Sequence, residues 1–280
     1  MSVVLSGTAK YTGDSGSDID NVTQGGFVAI VQPTTASLGA NQCMIIKGSG
    51  GANPSLQLDN TGALTIVVSR ATTNLLASAP LTNFPSCGPN VWLMVAGRFS
   101  VSGSNSNQQL WAARLGQALR EPSSYTSQQV GSGAQVDDSA ATLFVGNASG
   151  GARPVTCPLF AVAMFNSYPN YTALMRTARE LLVIGRNPIL TNSVARAYRF
   201  DRGTGTVVGL KSQQAITPSG TINLAKDPVR ILAGGLRVAP GVDLAFPPAP
   251  APVSTGSTVV LDRARRAMAT RFLLENLGVR

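Results

Sequence analysis

The sequence predicts an all-β sandwich or barrel followed by a basic extension, and three observations carry that expectation. Strand-like apolar runs recur about every ten to fifteen residues, which is the spacing of sandwiches and barrels. Gly (29) and Pro (17) are abundant and cluster between those runs, where turns need them. Charged residues are only 12% of the chain, and glutamate occurs only at 121, 180 and 275, a composition poorly suited to solvated surface helices.

The runs appear in order at 26–32, 43–47, 55–59, 63–69, 90–98, 109–113, 142–146 and 159–165. Turn clusters separate them at 47–53, 59–62, 101–107 and 146–151. Asp59, Asn60, Thr61 and Gly62 between two alternating runs read as a hairpin. Phe27, Ile45, Leu64, Trp92, Leu143 and Phe165 are expected to point inward. Residues 171–182 break the pattern. Leu174, Ala178 and Leu181 share one helical face and Arg176 and Glu180 another, so a short amphipathic helix is expected. Three further β-like runs follow at 196–201, 206–210 and 229–232.

Residues 246–257 alternate proline with small residues and are expected to form a stiff polyproline II spacer. Beyond it, 258–280 reads as an amphipathic helix capped by Thr258 and closed by Gly278. Leu261, Ala264, Met268 and Phe272 form its apolar stripe, and Arg263, Arg266 and Arg271 lie opposite. A helix beyond a stiff spacer does not easily return to its own core. We therefore expect a docking arm, with Leu261, Arg263, Arg266, Met268, Arg271 and Phe272 as its contact residues.

Charge supports that division. Residues 1–185 hold nine Lys/Arg against eight acids, a net of +1, whereas 186–280 hold thirteen against five, a net of +8. Such asymmetry points to an acidic partner for the last third. Aromatic residues are sparse there, at Tyr198, Phe200, Phe246 and Phe272, so a single-stranded nucleic-acid platform is not supported. The expected domains are 1–185, a sandwich; 186–245, a basic β-rich extension completing or flanking it; 246–257, the linker; and 258–280, the arm.

Histidine is absent, which excludes Ser-His-Asp and Cys-His triads and histidine-ligated zinc. Cys43, Cys87 and Cys157 are odd in number and form no CxxC, so buried free thiols are expected. No run of eighteen apolar residues suits a membrane span. The opening residues lack a basic segment followed by an apolar one, the reading being a cytoplasmic start without a signal peptide.

Several of these segments, taken in order, carry a resemblance. Gly26–Pro33, Cys43–Gly48, Asn90–Gly97, Leu143–Pro154 and Phe160–Asn166 are similar to successive strands of laminin-G-like, concanavalin A-like jelly rolls, with Val31 and Met94 at positions where the family has an aromatic residue and a histidine. The helix at 171–182 matches the family's closing helical turn. The resemblance covers about residues 3–185. Arg196–Val207 resembles a strand that often opens the family's domain and here follows it, either completing the sandwich or beginning an annex. Jelly rolls of this kind in Gly/Ser/Thr-rich chains resemble bacteriophage virion components.

Candidate chemistry is thin. Glycosidases of the family place their acids as glutamate-x-aspartate-x-x-glutamate, a pattern missing here, and retaining enzymes need two carboxylates about 5 Å apart. Glu121, Glu180 and Glu275 are scattered, and Asp137 and Asp138 are adjacent, which in extended chain sends them to opposite faces. Asp14, Asp18 and Asp20 are oxygen donors at a spacing that suits calcium; the alternative is a solvated acidic turn. Trp92 and Trp111 read as core residues before a sugar-stacking face, and Arg153 as a turn residue before a rim contact. No cofactor other than calcium is suggested.

The expected function is therefore that of a non-enzymatic bacteriophage virion structural protein. It would be a homo-oligomer decorating or cementing the capsid, with the major capsid protein or another virion protein as partner. The alternative is a carbohydrate-binding host-attachment module of a virion appendage, with a glycan as ligand. A cellular glycan-active enzyme is the third reading.

Overall fold

The computed structural model describes residues 2–35, 38–48, 54–101, 107–184, 187–201, 203–225, 230–232 and 235–237. The spacer at 246–257 and the arm at 258–280, with Leu261, Arg263, Arg266, Met268, Arg271 and Phe272, lie outside them.

In chain order the first strands are β1 (Ser2–Leu5), β2 (Lys10–Thr12), β3 (Gln24–Val31), β4 (Gln42–Lys47), β5 (Ser55–Leu58), β6 (Ala63–Val68) and β7 (Leu75–Pro80). Then come β8 (Leu93–Ser100), β9 (Asn107–Arg114), β10 (Ser127–Gln129), β11 (Leu143–Val145) and β12 (Leu159–Phe165). Helix α1 (Tyr171–Leu182) follows, and after it β13 (Val183–Ile184), β14 (Val194–Arg199), β15 (Val207–Val208), β16 (Ala215–Ser219) and β17 (Ile222–Ala225). β18 (Arg230–Leu232) and β19 (Gly235–Arg237) end the described chain.

Two antiparallel sheets face each other. One runs β17-β1-β12-β3-β8-β9, with β14 also on β12; the other runs β10-β7-β6-β5-β4-β11-β2-β16-β15. Alternation along each strand sends one set of side chains between the sheets. Phe27, Val95, Phe99 and Leu110 come from the first sheet, and Ile45, Leu56, Leu64, Ile66 and Leu143 from the second. This is an all-β jelly-roll sandwich.

The 59–62 hairpin forms as the sequence predicts. Asp59 Oδ1 accepts from the backbone N–H groups of Thr61 and Ala63, both at 2.9 Å, and Gly62 takes the left-handed φ of +81° that closes the turn.

The strands beyond residue 185 enter both sheets. β14 pairs with β12 from Ala161↔Arg199 to Phe165↔Val194. β16 lies beside β2 and β17 beside β1. β13 and β18 pair in parallel within a separate three-stranded ladder.

Helix α1 covers the outer face of the first sheet. Asn170 caps it by accepting from the Ala173 N–H at 2.8 Å. Leu174, Ala178 and Leu181 are fully buried against Val28, Ile30, Ala96, Ala163 and Phe165. Burying a leucine is worth about 1.5–3 kcal/mol, so this second core fixes the helix firmly. Gly26 makes the close approach possible: a Cβ there would lie 2.7 Å from Pro169 Cγ. Phe165 faces this second core, away from the sandwich interior, and Trp92 is half-buried at its margin.

Candidate functional site

The three carboxylates proposed for calcium do not converge. Arg196, 1% exposed, draws Asp18 onto Nη1 and Asp14 onto Nη2, the latter at 3.4 Å. Asp20 instead pairs with the fully buried ammonium of Lys47 at 2.5 Å. Lys47 also donates to the carbonyls of Ser15 (3.2 Å) and Asp138 (3.1 Å). Buried cations must be paired, and the acidic turn supplies the counter-charges for two of them. No group of three acidic, histidine or cysteine side chains suited to a metal occurs among the described residues. Sequence spacing revealed the acids but not their partners, 27 and 178 residues away.

Asp137 and Asp138 are occupied by Asn21. Its side chain donates to Asp137 at 2.9 Å and its backbone N–H to Asp138 at 2.5 Å. Bonds from Ser139 and Asn21 hold the Asp137 pKa below its ordinary value. Burial, the larger influence, raises that of Asp138. Of the two described glutamates, Glu180 accepts from the Ile189 N–H and Glu121 from Gln109, each at 2.8 Å. All three cysteines are free, and burial pushes the Cys43 and Cys157 thiols up to about 12, far from a nucleophilic thiolate.

An arginine lies where β8, β9 and the start of α1 meet. The Arg98 guanidinium lies 5.0 Å from the Trp111 ring centroid and 4.4 Å from that of Tyr168, a cation–π contact with each. Arg98 Nε donates to Gln109 Oε1 at 2.8 Å and Nη1 to the Pro169 carbonyl at 3.1 Å. Gln109 passes the contact outward through its Nε2 to Glu121. Beside this row Tyr171 is 41% exposed, its hydroxyl donating to the Leu119 carbonyl at 2.9 Å. Burial raises the Tyr168 hydroxyl pKa; Arg98 opposes the rise and Glu121 adds to it. Tyr171 and Glu121 are both exposed and are tied to this region through Leu119 and Gln109. Trp111 itself is 4% exposed, as a core residue should be, and contributes by orienting Arg98. Sequence reading missed Arg98, Tyr168 and Tyr171 because no local motif joins residues from two strands and a helix start. Arg153 lies at a turn and donates to Gln57 Oε1 at 3.1 Å.

A separate groove of about 420 Å³ borders β14 and β15, lined in part by Arg199, Asp201, Thr206, Lys211 and Gln213. Arg199 Nε donates to Asp201 Oδ2 at 2.8 Å, and Arg199 Nη1 donates to the Val183 carbonyl. Lys211 Nζ donates to the carbonyls of Thr191 and Asn192, both at 2.8 Å. Burial lowers the Lys211 pKa from its ordinary value.

No protein-family model and no curated protein matches this chain. Among solved structures, a Bacteroides ovatus protein described as carbohydrate binding is 14% identical, with a TM-score of 0.48, over 80% of this chain and 60% of its own. The CBM40 module of the Ruminococcus gnavus IT-sialidase is 16% identical, with a TM-score of 0.43, over 62% of this chain and 95% of its own. The heptameric SAP-like pentraxin of Limulus polyphemus is 13% identical, with a TM-score of 0.46, over 79% and 92%. This chain spans 60% of the length of the Bacteroides ovatus protein. By its own two antiparallel sheets the chain is an all-β jelly-roll sandwich. Among the described residues no helix is long and apolar enough to cross a membrane.

Proposed function

We propose that this chain is a non-enzymatic carbohydrate-recognition module whose binding surface is the Arg98–Tyr168 platform with Tyr171 and Glu121. The observation that carries the reading is the guanidinium in cation–π contact with both Trp111 and Tyr168, linked through Gln109 to the exposed Glu121 carboxylate. Sugar recognition needs an aromatic face for the apolar side of a ring and fixed polar groups for its hydroxyls. Tyr171 supplies the first and Glu121 the second. Catalysis is not supported: the chain has no histidine, its buried thiols are un-ionised, and its two described glutamates are engaged by different elements. The test is a glycan array followed by titration calorimetry. Binding to at least one glycan is expected, with Glu121→Ala and Tyr171→Ala each weakening it by about tenfold or more. Absence of glycan binding, or binding indifferent to both variants, refutes the platform.

A second reading is favoured by the net +8 carried by residues 186–280: decoration of a bacteriophage capsid, with the C-terminal arm gripping the major capsid protein or a second copy of this chain. Its test is stoichiometry in purified particles. Hundreds of copies support capsid decoration and about a dozen an appendage; loss of attachment on deleting 254–280 supports the arm, and full occupancy without it rules the arm out.

A further inference from the structure

We infer that the groove beside β14 and β15 is a second binding site, for a small ligand bearing an oxyanion: a carboxylate, sulfate or phosphate group. It is separate from the proposed glycan platform. β14 lies on β12, whereas Arg98 is on β8, with β3 between β12 and β8.

The groove is rich in donors. Arg199 is locked by Asp201 on one side and the Val183 carbonyl on the other, which leaves its Nη2 for a further acceptor. Lys211 spends two of its three protons on the Thr191 and Asn192 carbonyls. The Thr206 hydroxyl and the Gln213 amide add neutral donors. Asp201 is the acid among the described lining residues, and Arg199 already engages it. Two cations against one carboxylate leave a net positive charge, and a charge-assisted bond to an oxyanion is the strongest contact such a set can make.

The loop between β15 and β16 forms one wall of the groove. Gln213, with a φ of +55°, sits in the turn between β15 and β16, which the Gly209 N–H closes by donating to the Gln214 carbonyl at 2.9 Å. The volume of about 420 Å³ falls within the span of small-molecule pockets, about 300–1,000 Å³. No aromatic ring is among the described residues lining it, so it suits an anionic group better than the apolar face of a neutral sugar.

The full chain is titrated calorimetrically with inorganic sulfate, inorganic phosphate, glucuronate, glucose 6-phosphate and uncharged glucose, at constant ionic strength in chloride. Saturable binding of the anions but not glucose is expected. Glucuronate or glucose 6-phosphate binding more tightly than the inorganic ions identifies a sugar-borne anion; equal affinities identify the free anion. Lys211→Gln should weaken binding by about tenfold or more, and Thr206→Val, which touches no ion pair, should weaken it less. Glu121→Ala should leave it unchanged, so failure here and failure of the glycan platform are distinguishable. Anions that show no saturation, glucose binding as well as they do, or both groove variants binding like the native chain overturns the assignment.

Discussion

Lys47→Met tests whether the acidic turn is an internal counter-charge. Methionine keeps most of the apolar stem but removes an ammonium that is fully buried and bonded to Asp20, Ser15 and Asp138. A carboxylate and two carbonyls lose their donor. Breaking a buried ion pair costs about 3–5 kcal/mol. The Asp20 side chain is 21% exposed, so water recovers part of its solvation, which places the loss near about 3 kcal/mol. Asp20→Asn is the harsher change, at about 4 kcal/mol, because the charge left behind has no exposure. The double variant should lose less than the sum, since its second substitution removes an already unpaired group. Urea unfolding with linear extrapolation measures all three, at an unchanged m-value. A loss below about 1 kcal/mol for Lys47→Met, or full additivity in the double variant, would refute this account.

Phe165→Ala should cost about 3–5 kcal/mol because the ring is fully buried between the first sheet and α1; Trp92→Ala, at the half-buried margin, should cost less in the same urea assay. Iodoacetamide at pH 8 should modify Cys87 first and leave Cys43 and Cys157 unreacted in native protein, since Cys87 is half-buried with a pKa raised to about 11 and the others are buried with values near 12; mass mapping showing equal labelling of all three contradicts this. Asp138 has a native pKa raised by burial above 3.8, so its contribution to stability is greatest below that value and is lost as pH rises through the native pKa. Asp138→Asn should flatten that part of the stability–pH curve, and an unchanged slope in urea titrations across it counts against the burial argument.

The elements most legible from sequence are those whose side chains all face one partner. Helix α1 has a single apolar stripe from Leu174 to Leu181 and a capping Asn170, and its observed limits are 171–182 as the periodicity predicts. β12 is a continuous apolar run and β6 is one broken by Thr65, and the 59–62 hairpin carries its own turn chemistry in Asp59 and Gly62. β2, β10 and β17 were not anticipated: they are three or four residues long, too short for alternation to register. β7, with its small and polar Leu75–Pro80 run, was also missed.

The sequence by itself determined an all-β sandwich, its second-core helix, free thiols and the lack of histidine chemistry, because each depends on composition or on spacing within one element. Tertiary structure alone decided the rest. It placed β14, β16 and β17 within the two sheets, because edge strands are recruited by unpaired backbone groups that carry no sequence label. It placed Asp14 and Asp18 beside Arg196 and Asp20 beside Lys47, and brought Arg98 against both Trp111 and Tyr168. Charge pairing and cation–π contact act over a few ångströms of space, and the residues they join can lie anywhere along the chain.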